Sequence, residues 1–130
     1  MTEILVRDIL RPDVVTLTEA TPIRRAVALL VDNKTPAGVV VSDDGSLLGI
    51  LTQKDCFRPA LKASYYQEWS GTVADHMSHS VITIAATDNL IVAAEMFLNS
   101  PHRVFPVTEG TALAGILHRS DVLAALSRAG

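Results

Sequence analysis

The apolar residues of this chain form short runs separated by stretches with helical spacing. Val14–Leu17 is a β-branched run typical of a strand, and Gly38–Val41 and Leu47–Leu51 flank an Asp-Gly turn typical of a hairpin. Between the first two runs, apolar residues recur at the period of a helix, at Ala26, Val27, Leu29 and Leu30. The first half is therefore predicted to fold as strand, helix, strand, strand, with a second helix beginning near Thr52.

The second half repeats this order. A shift of 67 residues places Val81–Ile84 on the first strand, and a shift of 66 places Leu113–Leu117 on the hairpin's return strand. Val104–Val107 is the middle strand, and a last helix begins near His118 or Ser120. At the helix starts, Thr21 (with Pro22 after it) and Asp88 are the predicted N-caps. A chain that repeats at this period is built from two copies of one supersecondary unit.

A single repeat has one sheet with one apolar face, which it cannot bury alone. Two repeats can bury those faces against each other. We therefore expect an α/β (α+β) fold of two tandem repeats, each strand-helix-strand-strand-helix, packed with pseudo-twofold symmetry. Of the 130 residues 48% are hydrophobic and 5% aromatic, which suits helices packed on a sheet.

Charge and cysteine content narrow the function classes. The formal net charge is -3 without a basic run, so nucleic acid is not expected as the main partner. No stretch approaches a membrane span or a signal peptide, so a cytoplasmic protein is expected. The single cysteine, Cys56, is interpreted as a small buried hydrophobe. His76 and His79 have no third ligand nearby, so no metal site is expected.

Three motifs resemble those of the CBS domain pair, also called the Bateman module. Gly49–Asp55 is similar to the family's Gly-hydrophobic-hydrophobic-Thr/Ser-x-x-Asp segment. Thr72–Met77 is similar to its Thr-Val-x-Asp-hydrophobic-Met start, and His102–Val107 to its approach to the middle strand. The resemblance covers nearly the whole chain. It implies a first repeat at residues 1–62, a linker at 63–71 and a second repeat at 72–130.

The resemblance also implies a function. Such pairs commonly bind AMP, ADP, ATP or S-adenosylmethionine in clefts between the repeats, dimerise, and regulate an enzyme or transporter. On that basis we expect a non-catalytic regulatory module, a homodimer that acts on its partner in trans without an obligatory cofactor. The linker carries Tyr65, Tyr66 and Trp69, which are expected to pack on the module or on a partner chain.

The resemblance assigns Thr52 and Asp55 to the ribose and phosphate of one ligand, with Thr72 and Val73 lining the same cleft from the other repeat. A carboxylate suits a ribose diol, and a hydroxyl at a helix start suits phosphate. The spacing of Thr52 and Asp55 is also that of a helix-capping box, although Glu or Gln is the usual partner. Both roles remain open, and they are compatible.

In the second cleft the resemblance assigns Asp121 to the ribose and His102, Arg103 and Arg119 to the phosphate. Arginine offers a fork of donors that fits phosphate oxygens. Here His118 replaces the threonine; it is a poorer cap and a bulkier wall, or a phosphate partner at low pH. The alternatives are a solvated loop for His102 and Arg103 and an ordinary surface position for Arg119. The second cleft is thus either anion-binding or empty.

Three hypotheses for function follow. The first is a nucleotide-binding regulatory module, and the second is a dimerisation or scaffold module with vestigial clefts, which His118 favours. The third is an enzyme. The sequence has no P-loop, no Rossmann glycine pattern, no Gly-x-Ser-x-Gly and no His-Glu-x-x-His.

Overall fold

The computed structural model describes residues 3–129, which form two compact units. Residues 15–81 make up the first, here called the central unit. Residues up to Val14 and from Ile82 onward make up the second, here called the terminal unit. Within the described residues each unit contains one three-stranded sheet with helices, so the predicted α+β class is confirmed.

The central unit has the predicted order of elements. Its sheet has the order β1-β2-β3, with β1 parallel to β2 and β2 antiparallel to β3. Gly45 has a φ of 85°, the left-handed backbone that the β2–β3 turn requires. A short 3-10 turn at Lys54–Cys56 precedes the last helix. The elements are β1 Thr16–Leu17, α2 Ile23–Asp32, β2 Ala37–Val41, β3 Leu47–Thr52 and α3 Phe57–Tyr66. Helix α1, Val6–Ile9, precedes them in the sequence and belongs to the terminal unit.

The terminal unit has the same topology. Its sheet has the order β4-β5-β6, again with a parallel and an antiparallel pair. It begins with a four-residue helix near the start of the chain that the apolar pattern does not predict. The elements are α1 Val6–Ile9, β4 Ile84–Ala85, α4 Leu90–Leu98, β5 Val104–Glu109, β6 Ala112–His118 and α5 Arg119–Ala129.

Each unit has its own hydrophobic core. Aliphatic residues of the first strand, the first helix and the hairpin fill it, because these elements turn their apolar faces to one side of the sheet. The central core contains Leu17, Ile23, Ala26, Leu30, Val40, Leu51, Cys56, Val73 and Met77. The terminal core contains Val6, Ile84, Ala86, Leu90, Ala93, Phe105, Val107, Leu117, Val122 and Ala125.

The segment that leads into each repeat lies in the unit formed by the other repeat. Residues 4–11, the first leading segment, belong to the terminal unit, and residues 72–78, the second leading segment, belong to the central unit. The two segments make equivalent bonds 67 residues apart. The N–H of Val6 donates to the carbonyl of Asp88 at 2.8 Å, and that of Val73 to the carbonyl of Thr21 at 2.9 Å.

Both leading segments also extend a sheet. Arg11 exchanges two backbone hydrogen bonds with Ile116 on β6, at 2.8 and 2.9 Å. Ser78 does the same with Ile50 on β3, at 2.9 and 3.0 Å. Backbone groups at the outer edge of each hairpin are thereby satisfied within the unit.

Both predicted N-caps were displaced by one residue. Pro22, not Thr21, is the N-cap of α2, and the hydroxyl of Thr21 instead accepts a bond from the N–H of Thr18 at 3.1 Å. Asn89, not Asp88, caps α4; its Oδ1 accepts a bond from the N–H of Val92 at 2.9 Å. In both cases the side chain preceding the cap stabilises the turn before the helix.

The three large aromatic residues of the expected linker differ in their burial. Trp69 packs against the central core, as expected, but Tyr65 and Tyr66, on α3, are largely exposed in this chain. Residues 63–66 of the expected linker are helical, while the repeat bounds themselves stay a prediction. None of the helices within residues 3–129 is both long and apolar enough to cross a membrane.

Candidate functional site

Thr52 and Asp55 lie together where β3 ends and the helical turn before α3 begins. The N–H of Thr52 donates to Oδ2 of Asp55 at 2.9 Å, and the N–H of Asp55 donates to Oγ1 of Thr52 at 3.2 Å. This reciprocal pair is a capping box, so the capping prediction is confirmed. Both side chains are half-buried.

The box leaves polar atoms of both side chains available. Oδ1 of Asp55 accepts no hydrogen bond from residues 3–129, and the hydroxyl hydrogen of Thr52 is not used by the bond that its oxygen accepts. A carboxylate oxygen and a hydroxyl donor therefore stand side by side at the start of the helical turn, where the peptide dipoles favour negative charge.

Cys56 adjoins this pair but adds no reactivity. Its side chain is buried, and burial, followed by the negative charge of Asp55, raises the pKa of the thiol to about 11. A thiol with that pKa stays protonated at neutral pH and is a poor nucleophile. The interpretation of Cys56 as a buried hydrophobe is confirmed.

The backbone pairings place Thr72 and Thr52 at different points along α2. Thr72 pairs with Pro22, at the beginning of α2. Thr52 instead pairs with Ala37, just beyond the end of that helix. The ten residues of α2 lie between these points, and ten helical residues span about 15 Å.

Thr72 and Val73 have structural roles where they lie. The N–H of Thr72 donates to Oδ2 of Asp75 at 2.9 Å, which closes a second capping box. The side chain of Val73 is fully buried in the central core. Both residues belong to the same compact unit as Thr52 and Asp55.

In the terminal unit the matching positions are His118 and Asp121, and they are arranged differently. Both carboxylate oxygens of Asp121 accept bonds from Arg11, from Nε at 2.8 Å and from a terminal nitrogen at 3.1 Å. This bidentate pair with Arg11 lowers the pKa of Asp121, chiefly through the hydrogen bond. Arg11 is a functional candidate that the apolar pattern and the motifs do not reveal.

His118, the last residue of β6, is close enough to Arg11 and Asp121 for both charges to act on its imidazole. Burial first, and then the positive charge of Arg11, lower the pKa of its imidazole, against a smaller opposite effect of Asp121. The neutral ring is therefore favoured, which opposes its use as a cationic phosphate partner. The positions aligned with Arg11 and His118 are Ser78 and Thr52, so neither residue of the terminal unit that acts on the aspartate has a counterpart in the central unit.

The remaining predicted residues lie at the same end of β5 and β6. The N–H of Arg119 donates to the carbonyl of Arg103 at 3.0 Å, so the two arginines flank the pair formed by Val104 and His118. Both side chains are exposed. His102 is exposed as well, and its ring meets Phe105 edge-on with centroids 6.0 Å apart.

Two hollows in the central unit border the predicted ligand residues without including them. One, of about 470 Å³, is lined by Pro22–Arg24 and by residues 67–71. The other, an apolar groove of about 190 Å³, lies between α2 and α3 and is lined by Val27, Leu30, Val31, Gln53, Cys56, Phe57 and Ala60. Neither contains the side chain of Thr52 or Asp55.

Comparison with known proteins agrees with this architecture. The uncharacterized protein MJ1404 of Methanocaldococcus jannaschii is 29% identical over 95% of the chain, which spans 32% of that relative's length. The crystal structure of CBSX2 from Arabidopsis thaliana in complex with AMP has a TM-score of 0.84 and 26% identity, covering 97% of this chain and 98% of that one.

A third similarity shows the fold alone. The CBS domain pair of protein MJ0100, solved with 5'-methylthioadenosine and S-adenosyl-L-methionine, has a TM-score of 0.81 at 22% identity, covering 99% of this chain and all (100%) of that one.

The CBS domain family model matches residues 6–61 and again residues 73–128. No catalytic family is indicated, and CBS domains are generally regulatory modules. The duplicated topology and the two family matches together show that this chain belongs to the CBS domain family, of which it carries a tandem pair.

Proposed function

We propose that this chain is a regulatory module that binds an adenine nucleotide or another adenosyl ligand at Thr52 and Asp55. The observation that carries the proposal is the half-buried Asp55, which has one oxygen fixed by the Thr52 N–H and the other without a hydrogen bond from the described part of the chain. An oriented carboxylate of this kind accepts a bond from a ribose hydroxyl without first having to be ordered. CBSX2, of the same fold and 26% identical, was crystallised with AMP.

The rest of the pair supports an anionic group on the ligand. The Thr52 hydroxyl donates to a phosphate oxygen, and the peptide dipoles of the helical turn that begins there favour its charge. AMP, ADP, ATP and S-adenosylmethionine are the ligands to compare. They share the ribose and differ in the charge carried at its 5' end.

Isothermal titration of the intact chain with these four ligands tests the proposal, with Asp55→Asn as the decisive variant. An asparagine oxygen keeps the bond from the Thr52 N–H but leaves only an amide nitrogen for the ribose. We expect D55N to melt within a few degrees of the wild type and to bind at least tenfold more weakly. Asp43→Asn, in the exposed β2–β3 turn, is the control.

Two results contradict the proposal. One is a wild-type chain that gives neither heat nor a thermal shift with any of the four ligands. The other is a D55N variant that binds as tightly as the D43N control. A loss of stability of about 1 kcal/mol on Asp55→Ala would reflect only the lost cap.

We further propose that the module is a homodimer and that it acts on an enzyme or transporter in trans. Exposed apolar residues occur at equivalent positions in both units. They are Val31 on α2 and Leu98 on α4, and Phe57 on α3 and Leu123 on α5. Each unit thus exposes a pair of large apolar side chains, which a contact with a second copy would bury. The groove of about 190 Å³ beside Phe57 can receive an apolar side chain of that copy.

The second candidate function is a dimerisation scaffold with vestigial ligand sites. The Arg11–Asp121 pair favours it, because both oxygens of the matching aspartate are already engaged within the chain. A stable dimer whose melting temperature does not respond to any of the four ligands would support the scaffold.

A further inference from the structure

The Arg11–Asp121 pair joins two segments that are 110 residues apart in the sequence. It is partly open to solvent, with 51% of the Arg11 side chain and 30% of the Asp121 side chain exposed. Both carboxylate oxygens are engaged, at 2.8 and 3.1 Å. A ribose diol that binds Asp121 in the intact pair must therefore share both oxygens with the guanidinium.

The pair is a property of the terminal unit alone. In the central unit Ser78 holds the place of Arg11 and makes the same two backbone bonds to its sheet. Asp55 there is bonded to the N–H of Thr52, so its orientation does not depend on a cation. Arginine at this position in place of serine thus provides a side chain that bonds the aspartate. The backbone bonds of the leading segment to its sheet stay the same.

The pair is also easy to open. Exposed ion pairs contribute about 0–1 kcal/mol, because water solvates both charges well. A ligand whose ribose binds Asp121 therefore loses little binding free energy by displacing Arg11. The displaced guanidinium retains its fork of donors next to the site, and such a fork fits phosphate oxygens. Arg103 and Arg119, whose backbones are bonded to each other at the same sheet end, add further positive charge.

We propose that Arg11 is a specificity residue of the terminal unit. It exchanges Asp121 for the phosphate of an incoming ligand, so that this unit selects phosphorylated adenosyl ligands over uncharged ones. A nucleoside without phosphate breaks the ion pair and offers Arg11 no replacement. A nucleotide offers one, and gains in affinity by that exchange. This inference rests on the proposed adenosyl binding of the module and adds the charge of the ligand that one unit prefers.

The test measures affinities for AMP and adenosine by isothermal titration in the full chain carrying D55N, which weakens the central site. Arg11→Ser introduces the residue of the other repeat and keeps the backbone bonds to Ile116. We expect the preference for AMP over adenosine to fall at least tenfold, with adenosine binding unchanged or slightly tighter. Arg7→Ser, at an exposed position of the same leading segment, is the control and keeps the preference.

The outcomes separate this inference from the proposed function. If the wild-type chain binds neither compound, both fail. If the wild type binds AMP but the D55N chain does not, the terminal unit is empty and only this inference fails. It also fails if R11S weakens AMP and adenosine by the same factor, or if Asp121→Asn leaves the binding of the D55N chain unchanged. A melting curve of R11S close to that of R7S excludes loss of folding as the cause.

Discussion

Val6 and Val73 occupy equivalent positions 67 residues apart, and each is fully buried in the core of the unit that the other repeat builds. Val6 contributes to the core that contains Ile84 and Phe105. Val73 contributes to the one that contains Leu17 and Leu51. Each repeat therefore depends on the leading segment of the other for its core.

Truncation of Val6 is expected to lower the stability of the terminal unit. The central unit, which is built from the repeat that Val6 precedes, should be affected less. Val6→Ala removes two buried methyl groups, which costs about 2 kcal/mol because the cavity closes only in part. In hydrogen exchange, protection is expected to fall first in β4, α4 and β6. The amides of β2 and β3 should change less.

Val73→Ala is the matched control, since the same two methyl groups are lost from a position of equal burial. It should lower protection in β1, α2 and β3 first. An identical pattern of lost protection in the two variants would contradict the exchange of leading segments.

The glycine of the shared Gly-Ile-Leu motif is predicted to be required by the leading segments. A Cβ built on Gly49 would overlap the carbonyl group of Ser78, and one on Gly115 would overlap that of Arg11. Gly49→Ala and Gly115→Ala should each destabilise the chain by about 1–3 kcal/mol, the usual cost of overpacking. Chemical denaturation measures this cost.

Thr83→Ala, at an exposed position outside the helices and strands, serves as the control and should fall within about 0.5 kcal/mol of the wild type. If G115A is as stable as this control, the leading segment does not press against β6 as described.

Local patterns predicted the elements but not their partners. The β-branched runs and the Asp-Gly turn predicted the β2–β3 hairpin, because a strand's period and a turn's chemistry are local properties. The exchange of Val6 and Val73 was not predictable in this way, since either unit offers a similar apolar core. The predicted N-cap of α4 was wrong by one residue because Asp88 and Asn89 are both good caps, and only the backbone angles decide between them.

The site was predictable to the same extent. Thr52 and Asp55 are three residues apart, so their contact follows from a helix start. The motif that assigns Thr72 to a ligand did not reveal its pairing with Pro22, because that pairing is a long-range contact. Arg11 and Asp121 are joined by tertiary structure alone, and no spacing in the sequence indicates the pair.

His118 is predicted to make the stability of the chain depend on pH. Burial, then Arg11, lower its folded-state pKa below the ordinary 6.5. As the pH falls from 6.5 toward the folded value, the unfolded chain takes up a proton that the folded chain does not, so the free energy of unfolding decreases. The stability that the neutral His118 contributes is fully present above pH 6.5. It is lost as the pH falls from 6.5 through the folded-state pKa.

Thermal melts at about pH 7.5 and pH 5 compare the wild type with His118→Gln and with the control His79→Gln, in an exposed turn. The drop in melting temperature between the two conditions should be smaller in H118Q than in the wild type. An equal drop in all three chains would exclude His118 as the cause.

The exposed apolar residues of the last helices are predicted to hold the dimer. Phe57 and Leu123 are 65% and 68% exposed, so a contact at either helix would remove a large apolar side chain from water. Phe57→Glu and Leu123→Glu should each weaken dimerisation at least tenfold, measured by sedimentation equilibrium, without lowering the melting temperature of the monomer. Charge burial at an apolar contact is the reason.

Lys62→Glu places the same charge at an exposed position of α3 and should dimerise like the wild type. The prediction is wrong if the wild-type chain is a monomer at about 100 μM, or if F57E and K62E behave alike.

The division of the chain at residues 14 and 81 also orders the events of its synthesis. Residues 15–81 are contiguous and contain every member of the central core, so this unit has all it needs once residue 81 has left the ribosome. Domains generally fold as units during synthesis, N-terminal first. The first leading segment, although made before the central unit, has no sheet to join until Ile116 has been added. Residues 4–11 thus reach their native contacts only after the unit that follows them in the sequence can already fold.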